Sequence, residues 1–124
     1  MWQLQSEQKK FKVGKVSIGG TLDENPTVLI GSIFYHKQRS LNFEEEIGDF
    51  NRSEAERLIK IQEEFSDKTG LPCMLDVVLP SKKWISRVLD FITSVTDTPI
   101  LLDAASAEIR VVALDYAKQA GILD

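Results

Sequence analysis

Two aspartates sit where an apolar strand would not carry them without a reason. Asp76 interrupts the run Pro72–Leu79 (PCMLDVVL), and Asp103 closes Ile100-Leu101-Leu102 just ahead of a short loop into a helix. A carboxylate in such a run loses hydration unless it has a partner or a ligand. Proteins built from alternating strands and helices gather their sites at the C-terminal ends of the strands. Both aspartates are therefore candidate binding residues, with Asp103 the stronger because it stands at a strand end. The structural alternative for each is a helix cap or an acceptor for loop N–H groups.

The remaining reactive side chains offer less. His36 is the single histidine and has no partner histidine or cysteine pattern, so no metal site is expected there. Lys37 and Arg39 beside it could attract an anionic ligand tail or a partner protein, or be scattered surface charge. Ser32, in IGSIFY, lacks the Gly-x-Ser-x-Gly elbow of a nucleophile, which argues against serine catalysis. Gly14, Gly19 and Gly20 miss both the dinucleotide and the Walker A spacings. Cys73 is alone, which forbids an internal disulfide and any multi-cysteine zinc or iron–sulfur centre; it reads as a small buried hydrophobe. Trp84 and Tyr116 read as packing residues, and Glu44-Glu45-Glu46 as a solvated run.

These residues need elements to hold them. Phe11–Ile18 alternates about Gly14-Lys15 and predicts a hairpin, and Gly19–Pro26 reads as a loop. From Thr27 the run VLIGSIFY has no polar face, as in a strand buried on both sides. A polar stretch from His36 to Phe50 leads to a helix capped by Asn51 or Ser53, with Ala55, Leu58, Ile59, Gln62 and Phe65 inward and Gly70 at its end. After Pro72–Leu79, Ser81 caps a second helix with the stripe Trp84, Ile85, Val88, Leu89, Ile92 and Val95. After Ile100–Asp103, Ser106 caps a third, with Ile109, Val112, Ala113, Tyr116 and Ala117 inward and Gly121 closing it. Residues 1–26 thus form a hairpin and lead-in, and 27–124 form three strand–helix units. Such alternation predicts a parallel sheet.

The chain has 124 residues, 43% of them hydrophobic, and a formal charge of −4, an ordinary globular composition for one domain. The acidic balance argues against a nucleic-acid partner. No run approaches the ~18–20 apolar residues of a membrane span, and the first residues lack a signal-peptide core, so a cytoplasmic location is expected. Three parallel strands leave two open edges, an aggregation liability unless something pairs with them. The expectation is the first three units of a (β/α)8 barrel; the alternative is a small three-layer α/β domain.

The stretches ENPTVLIGSIFYHK, RLIKIQEEFSDKTGLP and TDTPILLDAASAEIRVVALDYAKQAGI resemble the tetrahydromethanopterin S-methyltransferase MtrH family. That family includes bacterial relatives that move methyl groups between a corrinoid and tetrahydrofolate. The resemblance runs from Phe11 onward, with SDKTG and GSIFY the most specific pieces in combination. It implies a pterin-binding TIM (β/α)8 barrel, here truncated, and methyl transfer between a corrinoid (methylcobalamin) protein and N5 of a tetrahydropterin. Asp103 matches the third-strand aspartate that hydrogen-bonds the pterin, and Asp76 stands at the place of the second-strand acidic residue, which is less uniform in the family. Implied partners are the corrinoid protein, other methyltransferase subunits and a second copy of the chain. Asp103-Ala104-Ala105-Ser106 departs from the family's Asp-Ser-Thr-Ser, and Leu79-Pro80-Ser81 replaces a Gly-containing turn, which leans towards a tetrahydrofolate-type relative. Groups acting at N5 would come from later strands, so the segment alone is expected to be inactive. The competing readings are a non-catalytic docking subunit or truncated product of a methyltransferase complex, and another pterin-binding barrel enzyme.

Overall fold

The computed structural model describes residues 8–21, 23–35 and 49–122. His36, Lys37, Arg39 and Glu44–Glu46 lie outside the described residues. At the N-terminus, β1 (Lys10–Val13) and β2 (Val16–Gly19) form the expected antiparallel hairpin, closed by the pair Val13 and Val16. Gly14 turns it at φ +56°, and a Cβ there would stand 3.1 Å from Pro99 Cγ, so the turn rests against the lead-in to the last strand. Val16 is buried, which anchors the ribbon.

The rest alternates as β3 (Leu29–Ile33), α1 (Arg52–Thr69), β4 (Cys73–Val78), α2 (Ile85–Val95), β5 (Ile100–Asp103) and α3 (Ala107–Gln119). The strands lie in the order β3-β4-β5, all parallel. One hydrophobic cluster joins Ile33, Leu75 and Val77 of the sheet to Ala55 and Ile59 of α1, Val88, Leu89 and Ile92 of α2, and Ala113 and Ala117 of α3. All three sheet residues point to one face, because side chains alternate along a strand. The helices therefore cover one side of the sheet only. On the other, Ile30 is 52% and Leu101 38% exposed, although the apolar strands read as buried on both faces. Among the described residues, no helix is long and apolar enough to cross a membrane.

Local chemistry explains the helix boundaries. Asn51 Oδ1 accepts from the Glu54 N–H at 3.1 Å, and Gly70 at φ +73° donates to the Ser66 carbonyl, closing both ends of α1 as expected. Phe65, expected inside, is exposed, with the Lys68 ammonium 5.9 Å from its ring centroid. At about 100° per residue Phe65 lies roughly 80° around the helix from Ala55, whereas Ser66 lies within about 20°. Ser81 makes no cap; the chain enters α2 through a 3-10 turn, Lys82–Trp84, and Ser81 Oγ makes no hydrogen bond. Trp84, Ile85, Val88, Leu89 and Ile92 are buried as expected, as is Cys73, while Val95 at the end of the stripe is only partly buried. Ser106 holds the N-cap position of α3 without a side-chain bond. There Ala113 and Ala117 form the contact and Val112 is exposed, since small side chains let α3 approach closely and Val112 lies about 100° away.

Polar ties join the helices. Lys60 Nζ donates to the Val95 carbonyl at 2.8 Å, Glu63 accepts from Thr96 and Thr98, and Tyr116 donates to Asp90 Oδ1 at 2.5 Å. Beyond β3, Phe34 adopts φ +66° and turns its ring edge-on to Phe50, 4.8 Å between centroids. Phe50 meets Phe91 of α2 at 5.2 Å, and the Arg52 guanidinium lies 5.0 Å from the Phe50 centroid.

Gly31 permits a close approach between β3 and α1. A Cβ there would stand 2.1 Å from Gln62 Oε1, while Gln62 Nε2 donates to the Met74 carbonyl at 2.9 Å. Gly31→Ala should displace Gln62 and cost about 0.5–1.5 kcal/mol, the net contribution of one such hydrogen bond. In a Gln62→Ala background the same change should be nearly neutral, a coupling that urea unfolding of the four-member cycle reads directly.

Candidate functional site

Strand register brings the two aspartates together. Asp76 stands opposite Ser32 on β3 and Leu101 on β5, and Asp103 stands opposite Val78, two residues further along β4. Alternation then puts Ser32, Asp76, Val78, Leu101 and Asp103 on the same face, the one without helices. Asp76 and Asp103 are diagonal neighbours, a spacing two carboxylate side chains can bridge.

Ser32 Oγ donates to Asp76 Oδ2 at 2.7 Å. The Asp103 carboxyl is a close neighbour on β5, two positions along from the residue opposite Asp76. Partial burial pushes the Asp76 carboxyl above the usual aspartate range; the Ser32 donor opposes this, and the neighbouring Asp103 carboxylate adds to it. Among the described residues, Asp103 is the one charged group acting on Asp76. Of the basic groups at the following helices, Lys82 pairs with Glu108, and Arg110 Nη1 donates to the Ala104 carbonyl at 2.9 Å, one residue past Asp103.

The capping alternative for the aspartates does not hold. Ser106, not Asp103, occupies the N-cap of α3, and α2 begins beyond Ser81, well after Asp76. Asp103 contributes its backbone carbonyl to the sheet, accepting from the Leu79 N–H at 2.8 Å. Among the described residues, no group of three or more His, Cys, Asp or Glu could hold a metal ion. What the arrangement can do is accept hydrogen bonds. It offers carboxylate oxygens on a face that also carries the exposed apolar side chains of Ile30 and Leu101.

Sequence reasoning missed Ser32, because it considered the hydroxyl only as a nucleophile. No signal within its own strand points to this role, since the partner is supplied by the pairing of β3 with β4.

A family model described as the tetrahydromethanopterin S-methyltransferase MtrH subunit matches residues 6–124. The chain is 40% identical over 118 residues to the tetrahydromethanopterin S-methyltransferase H subunit of Methanopyrus kandleri, covering 95% of this chain and 36% of that protein. It is 38% identical over 124 residues to the protein of the same name from Methanothermobacter thermautotrophicus, covering 100% of this chain and 40% of the relative. With the Methanosarcina mazei protein of that name the identity is 34% over 125 residues, again 100% of this chain but 39% of the relative. The chain therefore spans well under half the length of these curated relatives. Since the match extends across both aspartate-bearing strands and their helices, the chain belongs to the tetrahydromethanopterin S-methyltransferase MtrH subunit family.

Proposed function

We propose that the protein carrying these residues is a methyltransferase that moves a methyl group between a corrinoid and N5 of a tetrahydropterin, and that Asp103 and Asp76 bind the pterin. The observation that carries this reading is the carboxylate pair on the open face of the sheet, within a chain of this family. Sequential strand order with helices on one side is the arrangement of consecutive units in a (β/α)8 barrel. In that architecture the open face turns inward, and the strand ends bearing Asp103 form part of the mouth. The same reading gives the protein a cytoplasmic location, a corrinoid-carrying partner, further methyltransferase subunits and a second copy of itself as associates.

The donor set fits a pterin. Its ring N–H and amino groups need anionic acceptors, and Asp103 supplies them with Asp76 alongside. Ile30 and Leu101 give the ring an apolar surface to lie against. Fixing the ring orients the N5 methyl for in-line transfer, an effect of position rather than of acid strength. The corrinoid cobalt, when a partner protein presents it, supplies the other terminus of the methyl exchange. No described residue of this chain is assigned to hold it.

The relatives' printed names favour tetrahydromethanopterin as the pterin. The Ala104 departure gives no ground for tetrahydrofolate instead, because Ala104 is buried in the helix-side core. Titrating the methylated forms of both pterins into the intact protein decides between them, and a docking subunit would show heat with neither.

Asp103→Ala in the intact protein should weaken pterin binding at least about tenfold, since a hydrogen bond to a charged group contributes about 1.5–3 kcal/mol. Unchanged pterin affinity and unchanged methyl transfer would sink the assignment. Asp76→Asn should show the opposite balance of stability and function. The folded state holds the Asp76 proton more tightly than the unfolded chain, so that contribution is complete below about pH 4 and is lost as pH rises through the raised value. The asparagine variant should therefore melt higher than the parent near neutral pH and lose this advantage in acid, while binding the pterin less well. Thermal melts across pH measure the first, titration the second.

A further inference from the structure

The geometry points to Ser32 as a positioning residue of the pterin site: its hydroxyl holds one oxygen of Asp76 and thereby directs the other towards Asp103 and the ligand. This rests on the reading of the carboxylate pair as the pterin-binding group. Ser32 is not a nucleophile here. It acts through Asp76, and through the strand pairing that seats it opposite that residue.

Neither packing nor helix capping accounts for Ser32. It lies on an exposed stretch of the open face, outside the hydrophobic cluster, so packing does not require it. It stands inside a strand, away from any helix N-cap, and its 2.7 Å bond runs to Asp76 Oδ2. A hydroxyl donating to a carboxylate forms one of the stronger hydrogen bonds, and it fixes a rotamer that is otherwise free about its terminal torsion. With the carboxyl plane fixed by that bond, Oδ1 and the second lone pair of Oδ2 stay in set directions, available to an incoming N–H donor.

The groups facing Asp76 are few among the described residues. From β3 it meets Ser32, from β5 Leu101 and Asp103, and on its own strand Met74 and Val78 share its face. At the following helices, Lys82 pairs with Glu108, while Arg110 is anchored on the Ala104 carbonyl and keeps its positive charge one residue from Asp103. Ser32 is therefore the one neutral donor that favours the ionised form of Asp76 against burial and against the Asp103 charge. Removing it should both misorient the carboxyl and make it hold its proton to higher pH. Pterin binding, which uses the carboxyls as acceptors, should then fail at a higher pH on its acid side.

The test uses the intact protein and its Ser32→Ala and Ser32→Thr variants, with methyltetrahydropterin affinity measured from about pH 4 to pH 8, the interval that brackets the ordinary and raised aspartate ranges. The alanine variant should bind about tenfold more weakly near pH 6, the loss expected for one charge-assisted hydrogen bond. Its acid limb should move to higher pH, and threonine, which keeps the hydroxyl, should restore both. An acid limb that does not move in Ser32→Ala, or a threonine variant that behaves like alanine, would overturn the assignment. Asp103→Ala run alongside separates the two levels. If it loses binding while Ser32→Ala keeps the parent's profile, Ser32 alone is wrongly assigned; if it binds normally, the pterin site and the role of Ser32 fall together.

Discussion

The register between β3 and β4 is the constraint on which the rest depends. It sets Ser32 against Asp76 and Ile33 against Val77, so one pairing fixes both the polar face and the core face of the sheet. Because strand side chains alternate with a period of two, a slip of one residue would send Asp76 under the helices and bring Leu75 or Val77 into the open. Burying a carboxylate among Ala55, Ile59 and Leu89 would be far costlier than leaving it where it is. The core thus enforces the site without touching it. Gly31 and Gln62 lock the same register from the helix side, since Gln62 reaches the Met74 carbonyl only where β3 carries no Cβ.

Most of the architecture could be read from the chain because each element carries its own local signal. Asn51 and Gly70 mark α1, Pro72 and Pro99 precede strands, and the α2 stripe from Ile85 to Ile92 repeats with the helical period. The failures came where tertiary contact decides. Phe65 and Val112 are apolar and close to a stripe, but the faces actually used are those of Ala55 and Ile59, and of Ala113 and Ala117, where close approach selects small side chains. Ser81 and Ser106 have the residue type of a cap but not the bond: a 3-10 turn separates Ser81 from α2, and Ser106 holds the extended N-cap backbone without its hydroxyl bonding the first turn.

The site was legible only in part. Asp76 and Asp103 announced themselves by breaking apolar runs, a one-dimensional signal. Their proximity is a property of two strands paired at a particular offset, which no local pattern in either strand encodes. Ser32 belongs to the same category: it is an ordinary residue in its own strand, and a partner for a carboxylate only once β4 lies beside β3. Site chemistry that depends on register is visible to sequence reading as isolated candidates, and to structure as a connected set.

The aromatic clasp beyond β3 ties three elements to one ring. Phe50 meets Phe34 edge to face where the chain leaves β3, meets Phe91 of α2 in the same way, and lies under the Arg52 guanidinium at the start of α1. Such a ring works as a rivet: loosening it would free β3, α1 and α2 together rather than any one of them alone.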